Sequence, residues 1–221
     1  GDIRCHGGVA RCHRGGAPWA WILAPVQFTY LHGNDMTNSW EVSLGDFLED
    51  AVRARPDATF LENLGQTYSY EEFYDKVMRT AGMYRSLGIK HGDRVCLVLP
   101  NCPEVLFSWF GLSVIGAIMI PVNTAYKRDE LAYIYNNSEA VALVAHTVFL
   151  EAAGAAADLA PSITKRICVG GAEDGWLEFQ QACSRSEKLE ARPVISPSDI
   201  SALVYTSGTT GSPKGVMITH A

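Results

Sequence analysis

The sequence predicts an α/β fold in which helices cover a largely parallel β-sheet. Short apolar segments rich in β-branched residues alternate with longer segments of helical periodicity, which is typical of β-α-β units. The apolar segments are nearly continuous, as in strands that are buried on both faces of a parallel sheet. The 221 residues are 48% hydrophobic and 19% charged, a composition that suits a globular domain with a sizeable core.

The first part of the chain does not follow this pattern. Residues 1–35 are rich in Gly, Arg, Cys and His and show no clear periodicity. We hypothesise that they are a non-native extension and that residues 36–221 form the domain. The adjacent Cys-His pairs at positions 5–6 and 12–13 do not match the ligand spacing of zinc sites, so we predict no metal site there.

Capping patterns predict the first two helices. Ser43 and Asp46 resemble a helix-capping pair ahead of an amphipathic segment, and Pro56 lies just beyond the end of that segment. A second capping box opens the next helix, and a hairpin is predicted between the two helices. This capping box is formed by Ser69 and Glu72, and its helix is predicted to continue to Leu87, with Gly88 as the C-cap. The predicted hairpin has strands 59–64 and 67–69, joined by Gly65 and Gln66.

Strands and helices then alternate along the chain. The predicted strands are 94–99, 117–121, 141–145, 167–169, 201–205 and 216–219, and the predicted helices are 104–116, 129–137 and 148–158. Pro103 suits the first position of its helix. Residues 185–197 are polar and contain proline, so we expect a surface connection. For Phe107, Trp109 and Phe110 we favour packing in the core over a ligand-binding wall.

The most informative segment is residues 205–216, with the sequence YTSGTTGSPKGV between two predicted strands. Glycines let the main chain approach an anion, so that backbone N–H groups can point at it. Hydroxyl groups donate further hydrogen bonds to phosphate oxygens, and Lys214 adds a compact positive charge. The segment predicts a polyphosphate-binding loop with Lys214 as its functional cation. The predicted binding residues are Thr206, Ser207, Gly208, Thr209, Thr210, Gly211 and Lys214.

Two other interpretations of this loop are disfavoured. A Walker-type loop opens a helix and continues Gly-Lys-Ser/Thr, whereas Lys214 is followed by Gly215 and Val216. A flexible linker rich in Ser, Thr and Gly does not need the single lysine or a strand on each side. We therefore expect a phosphate site between two strands.

The same loop resembles the signature loop of the adenylate-forming enzymes, which include acyl-CoA synthetases, nonribosomal peptide adenylation domains and beetle luciferases. The motif YSYEE at residues 68–72 resembles the start of the helix that follows a hairpin in this superfamily. Residues 101–123 resemble acyl-CoA ligases, above all the carnitine/crotonobetaine-CoA type and, more generally, fatty-acid-CoA ligases. The similarity extends from about Trp40 onward. It implies that residues 36–221 are the N-terminal part of an AMP-binding domain that stops after the phosphate loop.

This resemblance implies an acid–thiol ligase. Such an enzyme joins a carboxylic acid to ATP as an acyl-adenylate, releases pyrophosphate, and then transfers the acyl group to CoA, with Mg²⁺ accompanying the nucleotide. Lys214 and residues 206–211 would hold the β- and γ-phosphates and stabilise the charge on the departing pyrophosphate. The implied partners are a small carboxylic acid, ATP and CoA, without nucleic acid and without an integral membrane segment.

The resemblance also limits what this chain is expected to do alone. In the superfamily, adenine recognition, a magnesium-binding Glu, the acid pocket and a small C-terminal domain with a catalytic Lys follow this loop, and the sequence given stops at Ala221. We therefore expect the 221-residue chain by itself to be inactive. Two alternatives stay open: an adenylation domain that serves a carrier protein, and a non-catalytic truncated product. The acid is not specified.

Charge and cysteine content restrict other functions. The formal net charge of −6 argues against a general nucleic-acid binder, and no apolar run has the length of a membrane span, so we expect a cytoplasmic protein. Cys96 lies in an apolar strand pattern and is expected to be buried and inert. Cys102 precedes a helix, which would lower its pKa, but without a visible base we predict no catalytic cysteine. His220 is either a site residue or a structural one.

Overall fold

The computed structural model describes residues 3–4, 42–206 and 213–221. The helices in these ranges are α1 (Leu44–Ala54), α2 (Tyr70–Ser86), α3 (Pro103–Val114), α4 (Arg128–Asn137), α5 (Leu150–Ala157) and α6 (Phe179–Arg185). The strands are β1 (Ile3–Arg4), β2 (Thr59–Asn63), β3 (Gln66–Ser69), β4 (Arg94–Val98), β5 (Ile118–Pro121), β6 (Ala142–His146), β7 (Lys165–Val169), β8 (Leu177–Glu178), β9 (Ile200–Thr206) and β10 (Lys214–Thr219). Apart from β1, the predicted extension and its Cys-His pairs lie outside the described residues.

One sheet of seven strands organises the fold, in the order β10-β9-β5-β4-β6-β7-β8. All neighbours from β9 to β8 run parallel, and β10 pairs with β9 in the antiparallel sense. The prediction of a largely parallel sheet is therefore confirmed. Strands β1, β2 and β3 form a separate antiparallel sheet.

Helices cover both faces of the large sheet. Successive side chains of a strand point to opposite faces, and β4 shows this directly. Val95 and Leu97 join one buried cluster, which includes residues of α1, α2 and α3. Cys96 and Val98 join the other, which includes residues of α4 and α5. The near-continuous apolar pattern of β4 therefore has its expected cause, burial on both sides.

The predicted helix caps are present. The Ser43 hydroxyl accepts a hydrogen bond from the Asp46 amide at 3.2 Å, at the start of α1. In the capping box of α2, the Glu72 amide donates to the Ser69 hydroxyl at 3.1 Å and the Ser69 amide donates to the Glu72 carboxylate at 2.8 Å. Each bond satisfies a backbone donor that the first helical turn leaves unpaired.

The hairpin β2–β3 is confirmed, but its turn lies one residue earlier than predicted. Leu64 and Gly65 form the turn, with φ angles of 49° and 83°, and Asn63 pairs with Gln66. A two-residue hairpin turn of this hand needs positive φ at both central positions, and glycine supplies only one of them at little cost. The register of the flanking strands therefore decides the turn, and Leu64 adopts the unusual conformation.

The connection before β9 is more tightly held than its polar composition indicates. Helix α6 was not predicted, and Phe179 at its start is buried in the core next to α2. Beyond α6, the Leu189 amide donates to the Met78 carbonyl at 3.1 Å, and Arg192 pairs with Asp46 at 3.0 Å. The predicted surface connection is thus an irregular segment anchored to α1 and α2.

Candidate functional site

The glycine- and hydroxyl-rich loop connects β9 to β10 at one edge of the large sheet. Strand β9 lies parallel to β5, with Met119 opposite Ala202, so the loop follows the carboxyl end of a parallel strand. Ligands of open α/β sheets bind beyond the carboxyl ends of the strands, and this location is consistent with a ligand-binding loop. A strand rather than a helix follows the loop, which confirms that it is not of the Walker type.

The structure describes two of the seven predicted binding residues. Thr206 and Lys214 are directly opposite each other in the antiparallel ladder, so their Cα atoms are about 5 Å apart. Both residues are exposed, one at each end of the loop. The remaining predicted residues, Ser207, Gly208, Thr209, Thr210 and Gly211, lie outside the described residues.

Strand β9 is anchored to the core near its first residues, away from the loop. Ser201 is buried, and its hydroxyl lies 3.2 Å from the Ser113 hydroxyl and accepts a hydrogen bond from the Trp109 indole at 3.4 Å. Trp109 thus has a structural contact on α3, while Phe107 and Phe110 pack edge-on against other aromatic rings in the core. The preference for core packing of these aromatic residues is confirmed.

Helix α4 contacts both sides of the loop. The Tyr133 hydroxyl donates to the Pro213 carbonyl at 3.2 Å, on the side that leads into β10. On the other side, the Tyr205 hydroxyl donates to the Asn137 side-chain oxygen at 2.7 Å. Burial raises the pKa of the Tyr205 phenol, which keeps the proton needed for this bond.

These α4 contacts were not predicted from the sequence. Residues 133 and 137 lie on a helix that follows β5, and only the adjacency of β5 and β9 in the sheet brings that helix to the loop. A polar pair with i, i+4 spacing is the one local signal, and such pairs are common on exposed helix faces.

His220 lies far from the loop. It follows β10 at the end opposite Lys214, about 20 Å away at the rise of an extended strand. Its Nδ1 atom accepts a hydrogen bond from the Leu44 amide at 3.2 Å, at the first turn of α1. The buried Nε2 atom has no hydrogen-bond partner among the described residues. These contacts support the structural interpretation of His220.

The described cysteines show no sign of a nucleophile. Burial raises the pKa of Cys96 to about 12, as expected for an inert core thiol. For Cys102, burial and the neighbouring Glu104 carboxylate raise the pKa to about 12, so the expected lowering at the helix start is wrong. Desolvation of the thiolate outweighs the attraction of the helix N-terminus at this position.

Within the described ranges, no group of three or more His, Cys, Asp and Glu side chains is arranged to hold a metal ion. In the same part of the chain, no helix combines the length and the apolar character that a membrane-spanning segment needs.

Comparison with known proteins identifies relatives of this chain. The sequence model of the family described as AMP-binding enzyme matches residues 48–221. A crotonobetaine/carnitine–CoA ligase of Salmonella heidelberg is 41% identical over 164 residues, which cover 72% of this chain and 32% of the relative. The corresponding protein of Salmonella paratyphi A is 40% identical over 188 residues, or 80% of this chain and 36% of the relative.

Solved structures agree with this relationship. An anthranilate CoA ligase in complex with anthranoyl-AMP superposes with a TM-score of 0.77 and 27% identity, over 82% of this chain and 35% of that protein. A long-chain-fatty-acid-CoA ligase of Archaeoglobus fulgidus superposes with a TM-score of 0.72 and 26% identity, over 81% of this chain and 37% of that protein. The chain spans about a third of the length of these relatives.

Proposed function

Because this chain belongs to the AMP-binding enzyme family, we propose that it is part of an acyl-CoA synthetase and that its β9–β10 loop binds the polyphosphate of ATP. In the proposed reaction, a carboxylate oxygen attacks the α-phosphorus of ATP, and the bond to the β-phosphate breaks. The products are an acyl-adenylate and pyrophosphate. The sulfur of CoA then attacks the acyl carbonyl carbon, and AMP leaves.

The observation that carries this proposal is that Lys214 lies opposite Thr206 where strands β9 and β10 meet the loop. A cation and a hydroxyl donor on facing strands can hold neighbouring oxygens of one polyphosphate. We assign Lys214 the stabilisation of charge on departing pyrophosphate, and residues 206–211 the directional hydrogen bonds. Interactions that strengthen as that charge develops accelerate the reaction rather than only tighten binding.

Mg²⁺ would reach this site bound to the nucleotide. Phosphate sites commonly hold Mg²⁺ through few protein ligands and several phosphate or water oxygens. The exposed hydroxyl of Thr206 is an oxygen donor of a suitable kind, and the described residues beside it include no carboxylate cluster. When bound, the ion would neutralise charge on the phosphates.

The names of the relatives guide the choice of acid and acceptor. Crotonobetaine/carnitine–CoA, anthranilate CoA and long-chain-fatty-acid-CoA ligases are all named for CoA as the acceptor. We therefore propose that the acyl acceptor is free CoA, which transfer of radiolabelled acid by the whole protein to CoA but not to a carrier protein would support. The aligned residues cover only about a third of these relatives, and we propose that residues 1–221 alone do not catalyse adenylation.

The test is acid-dependent exchange of pyrophosphate into ATP by the whole protein, with carnitine, crotonobetaine, anthranilate and a long-chain fatty acid as candidate acids. Lys214→Ala should lower the exchange rate about 100-fold, in line with loss of one group that stabilises developing charge. Lys90→Ala is the matched control, because Lys90 is an exposed lysine that precedes β4, at the amino ends of the parallel strands and therefore at the end of the sheet away from the loop. Equal rates for wild type and Lys214→Ala would contradict the assigned role.

A further inference from the structure

The geometry points to helix α4 as a clamp that fixes both ends of the phosphate loop relative to the rest of the sheet, with Tyr133 and Asn137 as positioning residues for ATP. This inference rests on the proposed function of the loop. It assigns a role to residues that precede the loop by more than 60 positions.

One face of α4 reaches both ends of the loop. Tyr133 and Asn137 are four residues apart in the helix, so their side chains lie on the same face, one turn apart. Tyr133 holds the Pro213 carbonyl at 3.2 Å, directly before Lys214. Asn137 holds the Tyr205 hydroxyl at 2.7 Å, directly before Thr206. The two flanking groups of the predicted site are therefore each adjacent to a residue fixed by the same helix.

The helix itself is firmly held, as a clamp requires. Its inward side packs through Leu131, Ile134 and Tyr135 into the buried cluster that α4 shares with α5. At its carboxyl end, the Arg94 guanidinium of β4 donates to the backbone carbonyls of Ser138 and Glu139, each at 2.9 Å. A cation at this position satisfies carbonyls that the last turn leaves unpaired and interacts favourably with the helix dipole.

Gly215 lets Tyr205 lie where it can reach this helix. The two residues are partners in the β9–β10 ladder. A Cβ atom on Gly215 would lie 3.3 Å from the Tyr205 ring and 3.1 Å from Leu203, closer than ordinary van der Waals contact. The glycine in Pro-Lys-Gly therefore makes room on β10 for an aromatic side chain of β9, a cross-strand arrangement that pins register.

Attachment of both ends of the loop to α4 reduces the ordering that ATP binding requires. Binding groups whose backbone positions are already fixed lose less conformational freedom when the ligand binds, so more of the interaction energy appears as affinity. The expected consequence is specific to the nucleotide. Loss of either tether should raise the KM for ATP and leave the KM values for the acid and CoA unchanged.

The experiment compares Tyr133→Phe and Asn137→Ala with the control Asn136→Ala in the whole protein. Asn136 is the adjacent asparagine of α4, and its side chain donates to the carbonyls of Ala132 and Leu159 instead of contacting the loop. Each tether variant should raise the KM for ATP about three- to ten-fold, as expected for one lost hydrogen bond. The control should leave the KM for ATP unchanged, whatever its effect on the melting temperature.

Two further measurements separate the clamp from the function of the loop. Hydrogen exchange at the Thr206 and Lys214 amides should accelerate in both tether variants and not in the control. The double variant Tyr205→Phe with Asn137→Ala should match the single Asn137→Ala in ATP affinity, because both changes remove the same hydrogen bond.

The outcomes are distinguishable. If the tether variants are active and show unchanged hydrogen exchange and an unchanged KM for ATP, the clamp is overturned and the proposed function stays intact. Absence of acid-dependent ATP turnover in the wild-type protein, together with accelerated hydrogen exchange in the tether variants, would overturn the proposed function and, with it, the role of α4 in nucleotide binding.

Discussion

Two glycines inside helices differ in what faces their α-carbon. A Cβ atom on Gly82 of α2 would lie 1.9 Å from the backbone oxygen of Glu187, so a side chain cannot fit without moving the anchored connection. For Gly154 of α5, the nearest atom would be a ring carbon of Trp176 at 3.5 Å, an ordinary contact. The first glycine is needed for close packing, and the second is not.

We therefore expect the same substitution to act in opposite directions at these positions. Gly82→Ala should lower the free energy of unfolding by about 1–3 kcal/mol, because overpacking outweighs the gain in helix propensity. Gly154→Ala should raise it by about 0.5–1 kcal/mol, because alanine reduces the entropy lost on folding. Urea denaturation measures both. A stabilised Gly82→Ala would contradict the tight packing of residue 187 against α2.

At the scale of elements, His220 connects the end of β10 to the start of α1. Its neutral Nδ1 atom accepts from the Leu44 amide, and its main-chain N–H donates to the Asp199 carbonyl at 3.1 Å. Burial lowers the pKa of His220, while the carboxylates of Asp199 and Asp46 oppose that shift and the nearby His91 adds to it. The folded protein therefore favours the neutral imidazole.

This contact predicts a pH dependence. Below the ordinary histidine pKa of about 6.5 the unfolded chain gains a proton that the folded protein resists, so the free energy of unfolding decreases as the pH falls. His220→Asn keeps an acceptor near the position of Nδ1 and does not titrate. Its stability should change less than that of the wild type between about pH 7.5 and pH 5.5, as measured by chemical denaturation. An identical change in both proteins would refute this origin.

At the scale of the whole molecule, β10 is the exposed edge of the large sheet. All six of its residues are exposed, with 49% of Val216 and 68% of Met217 accessible. Its outer edge has no strand partner among the residues that the structure describes. An edge strand with apolar side chains and free backbone groups is a template for pairing with another chain.

We expect residues 1–221 to associate through this edge. Met217→Lys should reduce association in light scattering and sedimentation, because a charge on an edge strand opposes strand pairing. Val194→Lys is the matched control: Val194 is fully exposed at 100% but lies in an irregular segment rather than on a sheet edge. A similar effect of both substitutions would point to general solubility instead of edge pairing.

Much of the fold and part of the site follow from local patterns in the sequence. The caps at Ser43 and Ser69, the near-continuous apolar run of β4 and the strands around the loop involve residues only a few positions apart. The hairpin turn and α6 show where local reasoning ends. Leu64 takes a positive φ because strand register requires it, and α6 forms where Phe179 is buried against distant residues.

The α/β class could be predicted from the sequence because composition and periodicity express it locally, and the motif at residues 205–216 carried the resemblance to the family. Phosphate binding by that loop stays a prediction from its residue types. The elements that meet at the two ends of that loop are known only from the three-dimensional arrangement of the chain. The contacts from α4 join residues 68 and 80 positions apart, and they exist because β9 lies next to β5 in the sheet. Strand order depends on the packing of the complete domain, and no local pattern records it.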